Sequence, residues 1–435
     1  MKPVKLGICG LGTVASGAVN ILKRNAESIA GRAGCSIDVI QVGSRRLKDN
    51  CDLTGIDFTT DVFDVVSNPE VDVVVELIGG YDIAKELVLK AIENGKHVVT
   101  ANKALIAVHG NEIFAAAAEK NVTVAYEAAV AGGIPIIKAL REGMAANKIN
   151  WLAGIINGTG NFILTEMKDK GRDFADVLKE AQELGYAEAD PTFDVEGIDA
   201  AHKLTIMASA AFGVPLQFDF AYTEGISQLS TADVEYAEEL GYRIKHLGIT
   251  RLHKEGFELR VHPTLVPEKQ LLAKVDGVMN SVLVDGDAVG QTLYYGAGAG
   301  SEATASAVIA DVVDIARAIN ADTGVMVPYL GFSPDKITDL KVLPIDEIVS
   351  AYYLRILASD HSGVLAKVAS ILSEQGINIE SVMQKESELQ DGKIPMIMLT
   401  HEVKEKQINV AIEKIEALSE IEGKVVRIRA EHFSG

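Results

Sequence analysis

A chain of 435 residues with 48% hydrophobic and 23% charged residues has the make-up of an ordinary globular protein, with length for roughly two to four domains. A formal net charge of −20 repels phosphate backbones and anionic lipid, so neither nucleic acid nor a membrane is expected as a partner. Cys9, Cys35 and Cys51 lack CxxC spacing, which argues against a disulfide framework or a zinc site, and no run reaches the ~20 apolar residues of a spanning helix, so a cytoplasmic place is expected.

Residues 1–130 alternate apolar runs with amphipathic stretches. The runs lie at 4–9, 37–42, 71–78, 96–100 and 122–126, and unbroken Val/Ile runs are typical of strands buried on both faces of a parallel sheet. The stretch 83–94 has helical periodicity and ends at Gly95, a helix-stopping position. A doubly wound α/β domain is expected here. Residues 131–335 mix strands (151–156, 246–251, 257–263, 281–285) with helices (174–184, 198–212, 304–319), as in an α+β domain that carries substrate and dimer contacts. Pro334 and Leu343-Pro344 mark 333–349 as a linker. From 350 to 435 the order is βαββαβ: strands at 352–358, 377–385, 394–401 and 425–431, helices at 364–374 and 405–418, a ferredoxin-like unit.

Gly10-Leu11-Gly12-Thr13-Val14-Ala15 follows the first strand and opens a helix. Gly10 permits the tight turn, Gly12 lets main chain approach a pyrophosphate, and Ala15 allows close helix–strand packing. With Thr13 and Val14 this is the dinucleotide-binding pattern of a Rossmann-like sheet. The second strand ends Val42-Gly43-Ser44-Arg45-Arg46 with no acid for ribose hydroxyls. A hydroxyl and two guanidinium groups suit a 2′-phosphate, so Arg45 points to NADP, with NAD left open.

Asn102 and Lys103 follow the fourth run, where sheets of this kind bind ligands beyond the carboxyl ends of their strands. The segment 181–203 is rich in acids, and Asp199 and Lys203 stand four apart on one helix face. A lysine set among apolar residues beside carboxylates can pass a proton to a carbonyl oxygen, and nearby acids can hold an ammonium group.

The spacing Ala181-x3-Gly185-Tyr186-Ala187-x2-Asp190-Pro191-x2-Asp194-Val195-x-Gly197-x-Asp199-x3-Lys203 resembles the signature of homoserine dehydrogenases. Val98 to Lys103, Gly132-Gly133-Ile134-Pro135, Asn157-Gly158-Thr159-Gly160-Asn161 and Tyr295-Gly296-Ala297-Gly298-Ala299-Gly300 are similar to further hallmarks of that family, over residues 1–335. The resemblance implies reversible, nicotinamide-dependent interconversion of homoserine and aspartate 4-semialdehyde, in threonine and methionine biosynthesis. It implies that Lys103 and Lys203 are catalytic, with Lys203 the acid/base, and that Glu188 and Asp199 hold the amino-acid end of the substrate or orient Lys203. It also implies a monovalent cation such as sodium at Glu127 and the carbonyls of Val130, Gly132 and Ile134, and a homodimer or homotetramer.

Asp360-His361-Ser362-Gly363-Val364-Leu365, followed by Gly376-Ile377-Asn378-Ile379, is similar to ACT domains. Asp360, His361, Gly363 and Asn378 are then candidate effector residues between paired domains, with threonine the expected effector; a simple dimerisation module is the other reading. A non-catalytic amino-acid sensor on a Rossmann scaffold is the alternative function, and the presence of both lysines with intact glycines speaks against it.

Overall fold

The computed structural model of the chain describes residues 2–48, 51–385 and 392–433. Its first layer system runs β1 (Val4–Cys9), α1 (Thr13–Arg24), α2 (Ala26–Ala33), β2 (Ile37–Gly43), β3 (Asp57–Thr59), α3 (Val62–Ser67), β4 (Val73–Glu76), α4 (Asp82–Glu93), β5 (His97–Thr100), α5 (Lys103–Lys120) and β6 (Val124–Ala125). The six strands pair in the order β3-β2-β1-β4-β5-β6, all parallel. Side chains alternate between two cores: Val74, Val98 and Val124 enter one, while Val73, Val75, Val99 and Ala125 enter the other. The run at 71–78 yields only four residues of strand, because Glu76 turns back to accept hydrogen bonds from Ile78 N (2.7 Å) and Gly79 N (3.1 Å). Chain order reverses between β1 and β4, which opens a crevice at their carboxyl ends.

The chain continues through α6 (Ile136–Lys138), β7 (Ile149–Ile155), α7 (Gly158–Lys170), α8 (Phe174–Glu183), α9 (Thr192–Val195), α10 (Ile198–Phe212), β8 (Tyr222–Thr223), α11 (Thr231–Glu239), β9 (Tyr242–Arg251), β10 (Arg260–Pro267), β11 (Met279–Gly286), β12 (Gly290–Ala297) and α12 (Ser301–Ala321). It ends with β13 (Val349–Ser359), α13 (Val364–Glu374), β14 (Ile379–Met383), β15 (Lys393–Thr400), β16 (Val403–Lys404), α14 (Glu405–Glu416) and β17 (Ile421–Ala430). The C-terminal order β17-β13-β15-β14 is the ferredoxin-like arrangement of an ACT domain.

Three features depart from the sequence reading. The C-terminal sheet is not separate: β17 pairs in parallel with β10 at Thr264↔Arg429 and Leu265↔Ala430, so one path of strands runs β12-β11-β7-β9-β10-β17-β13-β15-β14. The strand expected at 257–263 begins instead at Arg260, while Phe257 bridges to Val342 and pins the segment expected to be a linker. Helix α12 leaves the second sheet and packs on the first domain. Its Ala305, Val308, Val312 and Ala316 share a core with Leu6, Ala15 and Val19.

Candidate active site

At the β1–α1 turn, Gly10 has φ +100°, and a Cβ there would lie 2.6 Å from Leu77 O, so only glycine fits. Gly12 caps α1 without any side-chain hydrogen bond, and a Cβ on it would meet nothing within 4 Å. The first N–H groups of a twelve-residue helix, at Thr13 and Val14, therefore face open space, which suits a pyrophosphate. Arg45 and Arg46 are exposed just past the end of β2. Buried Glu76 also accepts from Thr100 Oγ1 at 2.6 Å, and Asn102 Nδ2 donates to Gly80 O at 2.7 Å, which ties the turn after β4 to the start of α5.

Asn102 caps α5 by accepting from Leu105 N, and this sets Lys103 at the first helical position, facing α10. Helix α10 is almost wholly buried, and Asp199 and Lys203 stand one turn apart on it. Asp199 is 3% exposed and accepts from Lys103 Nζ (2.9 Å), Lys203 Nζ (2.7 Å) and Asn157 Nδ2 (2.9 Å). Lys203 Nζ also donates to Ile156 O at 2.7 Å, which leaves one of its three donors for a ligand. Asn157 Nδ2 reaches Asp194 Oδ1 as well (2.8 Å), and its Oδ1 accepts from Gly160 N to cap α7.

The charges answer to this geometry. Burial raises the pKa of Asp199, but the two ammonium groups outweigh it and hold the carboxyl well below its usual range. Burial lowers the Lys203 pKa, and neighbouring Lys103 adds to the shift against the pull of Asp199. For the more accessible Lys103, burial is overcome by Asp199, and its pKa rises. Burial pushes Asp194 up.

These groups line a cleft of about 670 Å³ with Glu188, Asp190, Tyr186, Asn280 and the turn 297–300. Glu188 is exposed. Ser301 Oγ donates to Thr13 O at 2.7 Å, so the turn 297–300 lies against the dinucleotide turn. Sequence reading passed over Glu76, although a carboxylate ending an apolar run was a visible signal. Asn157 is visible only as part of the 157–161 motif, and Asn280 carries no local signal in the sequence.

The other candidate sites look different. The Glu127 carboxylate is 2% exposed and accepts from Ile137 N (2.9 Å) and Lys138 N (2.7 Å), so it is turned toward α6. Val130, Gly132 and Ile134 lie on a turn that passes through left-handed φ at Ala131 (55°) and Gly132 (52°). Asp360, His361 and Gly363 form the exposed β13–α13 turn, where Gly363 has φ 94°. Asn378 is not beside them. Ser359 pairs with Lys393 and Ile379 with Thr400, which puts Asn378 at the other end of the sheet, roughly 23 Å away at ~3.3 Å per residue. A single chain does not assemble these four residues. Among the described residues, no helix is long and apolar enough to cross a membrane.

Comparison with known proteins agrees with this architecture. Residues 10–127 match the family model for the homoserine dehydrogenase NAD-binding domain, 135–313 that for homoserine dehydrogenase, and 352–420 that for the ACT domain. The chain is 69% identical over 434 residues to the homoserine dehydrogenase of Pseudomonas aeruginosa, covering 100% of both. It is similar to the crystal structure of a homoserine dehydrogenase from Thiobacillus denitrificans, with TM-score 0.95, 61% identity and coverage of 99% and 98%. A hyperthermophilic archaeal homoserine dehydrogenase, solved in complex with NADPH, is similar over 72% of this chain and 98% of its own, with TM-score 0.61 and 25% identity.

Proposed function

The chain belongs to the homoserine dehydrogenase family, a family of NAD(P)-dependent oxidoreductases, and from that premise we propose that its cleft interconverts L-homoserine and L-aspartate 4-semialdehyde, with NADP preferred, on the route to threonine and methionine. One observation carries the reading: Asp199 joins Lys103 and Lys203 at the base of a cleft that opens toward the dinucleotide turn.

The dinucleotide supplies the nicotinamide C4 that gives or takes a hydride. The chain does the rest. In oxidation, Lys203 as free amine would take the hydroxyl proton while the carbon bearing that hydroxyl gives up its hydride to the dinucleotide; in reduction, its ammonium would return the proton to the aldehyde oxygen. Lys103 places a second positive group beside that oxygen, and Asp199 fixes both lysines. Glu188 and Asp194 offer carboxylates to the substrate ammonium. Support for NADP comes from exposed Arg45 and Arg46 where an acid would read ribose, and from the archaeal relative solved with NADPH.

A monovalent cation fits the chemistry of the 127–134 turn. Burial raises the pKa of both Glu127 and Asp311; Lys138 Nζ stands 3.4 Å from Asp311 Oδ1 and offsets part of that shift, and a cation beside the Glu127 carboxylate would offset more. For the ACT domain, threonine between two chains is the reading, with Asp360, His361 and Gly363 of one chain meeting Asn378 of another in a homodimer or homotetramer. NADPH oxidation on addition of aspartate 4-semialdehyde tests the proposal, with and without threonine. No turnover would refute the substrate, and equal rates with NADH would refute the NADP preference.

A further inference from the structure

Among the large apolar side chains that stay exposed, Tyr186, Phe193 and Val278 line the cleft that holds Asp199 and the two lysines. Apolar surface left open beside so many charges suits a ligand that covers it. Of these side chains, Phe193 is tied to both ends of the polar site, and 40% of its surface is open. It stands on α9 directly before Asp194. Asn157 Nδ2 joins Asp194 (2.8 Å) to Asp199 (2.9 Å), so the segment carrying the ring is anchored to the carboxylate that holds the lysines. The ring itself packs at a tilt on His202, 5.4 Å between centroids, and His202 directly precedes Lys203 on α10. His202 is fully buried and stacks on Phe218 at 4.1 Å and 21°. Burial above all holds its pKa down to about 4, so at neutral pH it is an uncharged plate behind the Phe193 ring. The ring thus adjoins both the carboxylate offered to the substrate ammonium and the lysine offered to its oxygen.

We propose that Phe193 sets the length of substrate that the cleft accepts, its ring closing the apolar wall between the ammonium subsite and the lysine pair. The inference rests on the reading of Asp194 and Lys203 as the two polar subsites and makes Phe193 a specificity-determining residue for that reaction. A hydroxy amino acid held by its ammonium at one end and its hydroxyl at the other has only its methylenes left to cover the ring. Homoserine fills the span with Cβ and Cγ. A chain one methylene longer, pinned at the same two ends, has to bow out of line, and the His202 backing leaves the ring no room to yield. An apolar wall discriminates one methylene by roughly 10- to 200-fold.

The test compares kcat/KM for oxidation of L-homoserine and of L-2-amino-5-hydroxypentanoate, one methylene longer, by the full-length enzyme with saturating NADP. Wild type should favour homoserine by roughly 10- to 200-fold. Phe193→Leu should lower that ratio and Phe193→Ala should lower it further, each through a gain on the longer substrate, with the KM for NADP unmoved. Wild type that oxidises the two alike overturns the proposal. So do variants that lose on both substrates by the same factor, since the ring would then be cover without selectivity. A Phe193→Ala enzyme whose KM for NADP rises while the substrate ratio stands also overturns it, since the ring would then cover the dinucleotide. If wild type oxidises neither substrate, the substrate reading itself fails.

Discussion

Lys203 and Lys103 compete for one carboxylate, and their titration follows from that contest. Burial and the nearby Lys103 charge lower the Lys203 pKa from 10.5, while Asp199 raises it. In the mechanism proposed above, homoserine oxidation uses the free amine of Lys203, so its rate should rise with pH and level off below the range of an ordinary lysine; aldehyde reduction uses the ammonium and should fall over the same interval. Removing either neighbour moves the inflection in a known direction. Asp199→Asn deletes the raising partner, so the residual oxidation profile should shift to lower pH. Lys103→Met deletes a lowering charge and should shift it to higher pH. Shifts in the same direction, read from kcat/KM profiles, would refute the shared-carboxylate account. Lys203→Ala should cost roughly 100-fold or more in kcat, the scale of a lost acid/base group. Glu127 gives a second titration. Burial, with Asp311 adding to it, raises its pKa from 4.5 to about 7. A carboxyl whose folded pKa is raised contributes stability that is full below 4.5 and lost as pH rises through about 7. A bound monovalent cation should therefore raise Tm more above that pH than below it, when compared with a bulky cation at equal ionic strength, and Glu127→Gln should flatten the difference. An equal gain at both pH values would place the cation elsewhere.

Among elements, those legible in the sequence were the ones whose period and punctuation agree. The ends of helix α10 are legible because Gly197 (φ 83°) and Gly213 (φ 63°) bracket an Ala-rich, largely apolar stretch. The i,i+4 placement of Asp199 and Lys203 followed from that. Short edge pieces such as β3 and β8 have too few residues to show a period. Where α12 packs was not legible either, because an apolar stripe says that a helix is buried but not against what. It lies on α1, and a Cβ at Gly17 would sit 2.7 Å from both Ser301 O and Ser301 Oγ. That contact holds the turn 297–300 against the dinucleotide turn, so Gly17→Ala should do more than overpack a core. It should cost about 1–3 kcal/mol in unfolding free energy and also weaken NADP binding, since Ser301 can no longer reach Thr13 O. A variant that loses stability but keeps NADP affinity would show that α12 is a prop rather than part of the cofactor site.

At the scale of the molecule, the decisive fact is that the ACT domain is built into the catalytic sheet. Sequence pattern showed the βαββαβ order but not this, because one parallel pairing of two residues between β10 and β17 leaves no periodic trace. The seam is charged and largely buried. Arg260, fully buried, donates to Glu258 (2.7 Å) and to Glu431 (2.7 Å), and Arg429, also fully buried, donates to Glu405 (2.7 Å) and Glu224 (2.8 Å). Beyond the last strand, the Phe433 ring packs at a tilt on Trp151, 5.2 Å between centroids. Cutting the chain near Asp346 would thus strip Glu431 from Arg260, Arg429 from Glu224 and Phe433 from Trp151, and uncover the edge of β10. Breaking one buried pair alone costs about 3–5 kcal/mol, so the truncated catalytic part should be aggregation-prone or unfold at markedly lower temperature in calorimetry, rather than remain as a healthy unregulated enzyme. Regulation is better tested in the full chain. The same seam gives a physical link to the cleft: Arg429 holds the Glu224 carboxylate, Glu224 O lies 3.0 Å from His246 Nε2, and the His246 ring packs against Gly197, the residue that starts α10 and so sets Asp199 and Lys203. If threonine at the β13–α13 turn lowers activity through this seam, then homoserine or NADP must weaken threonine binding by the same factor, typically 5- to 150-fold for a coupling of ~1–3 kcal/mol. Asp360→Ala should abolish threonine binding with turnover intact. Glu224→Gln should keep threonine binding but reduce the coupling, as measured by threonine affinity with and without NADP. Coupling unchanged in Glu224→Gln would mean that the signal crosses between chains instead of along the shared sheet.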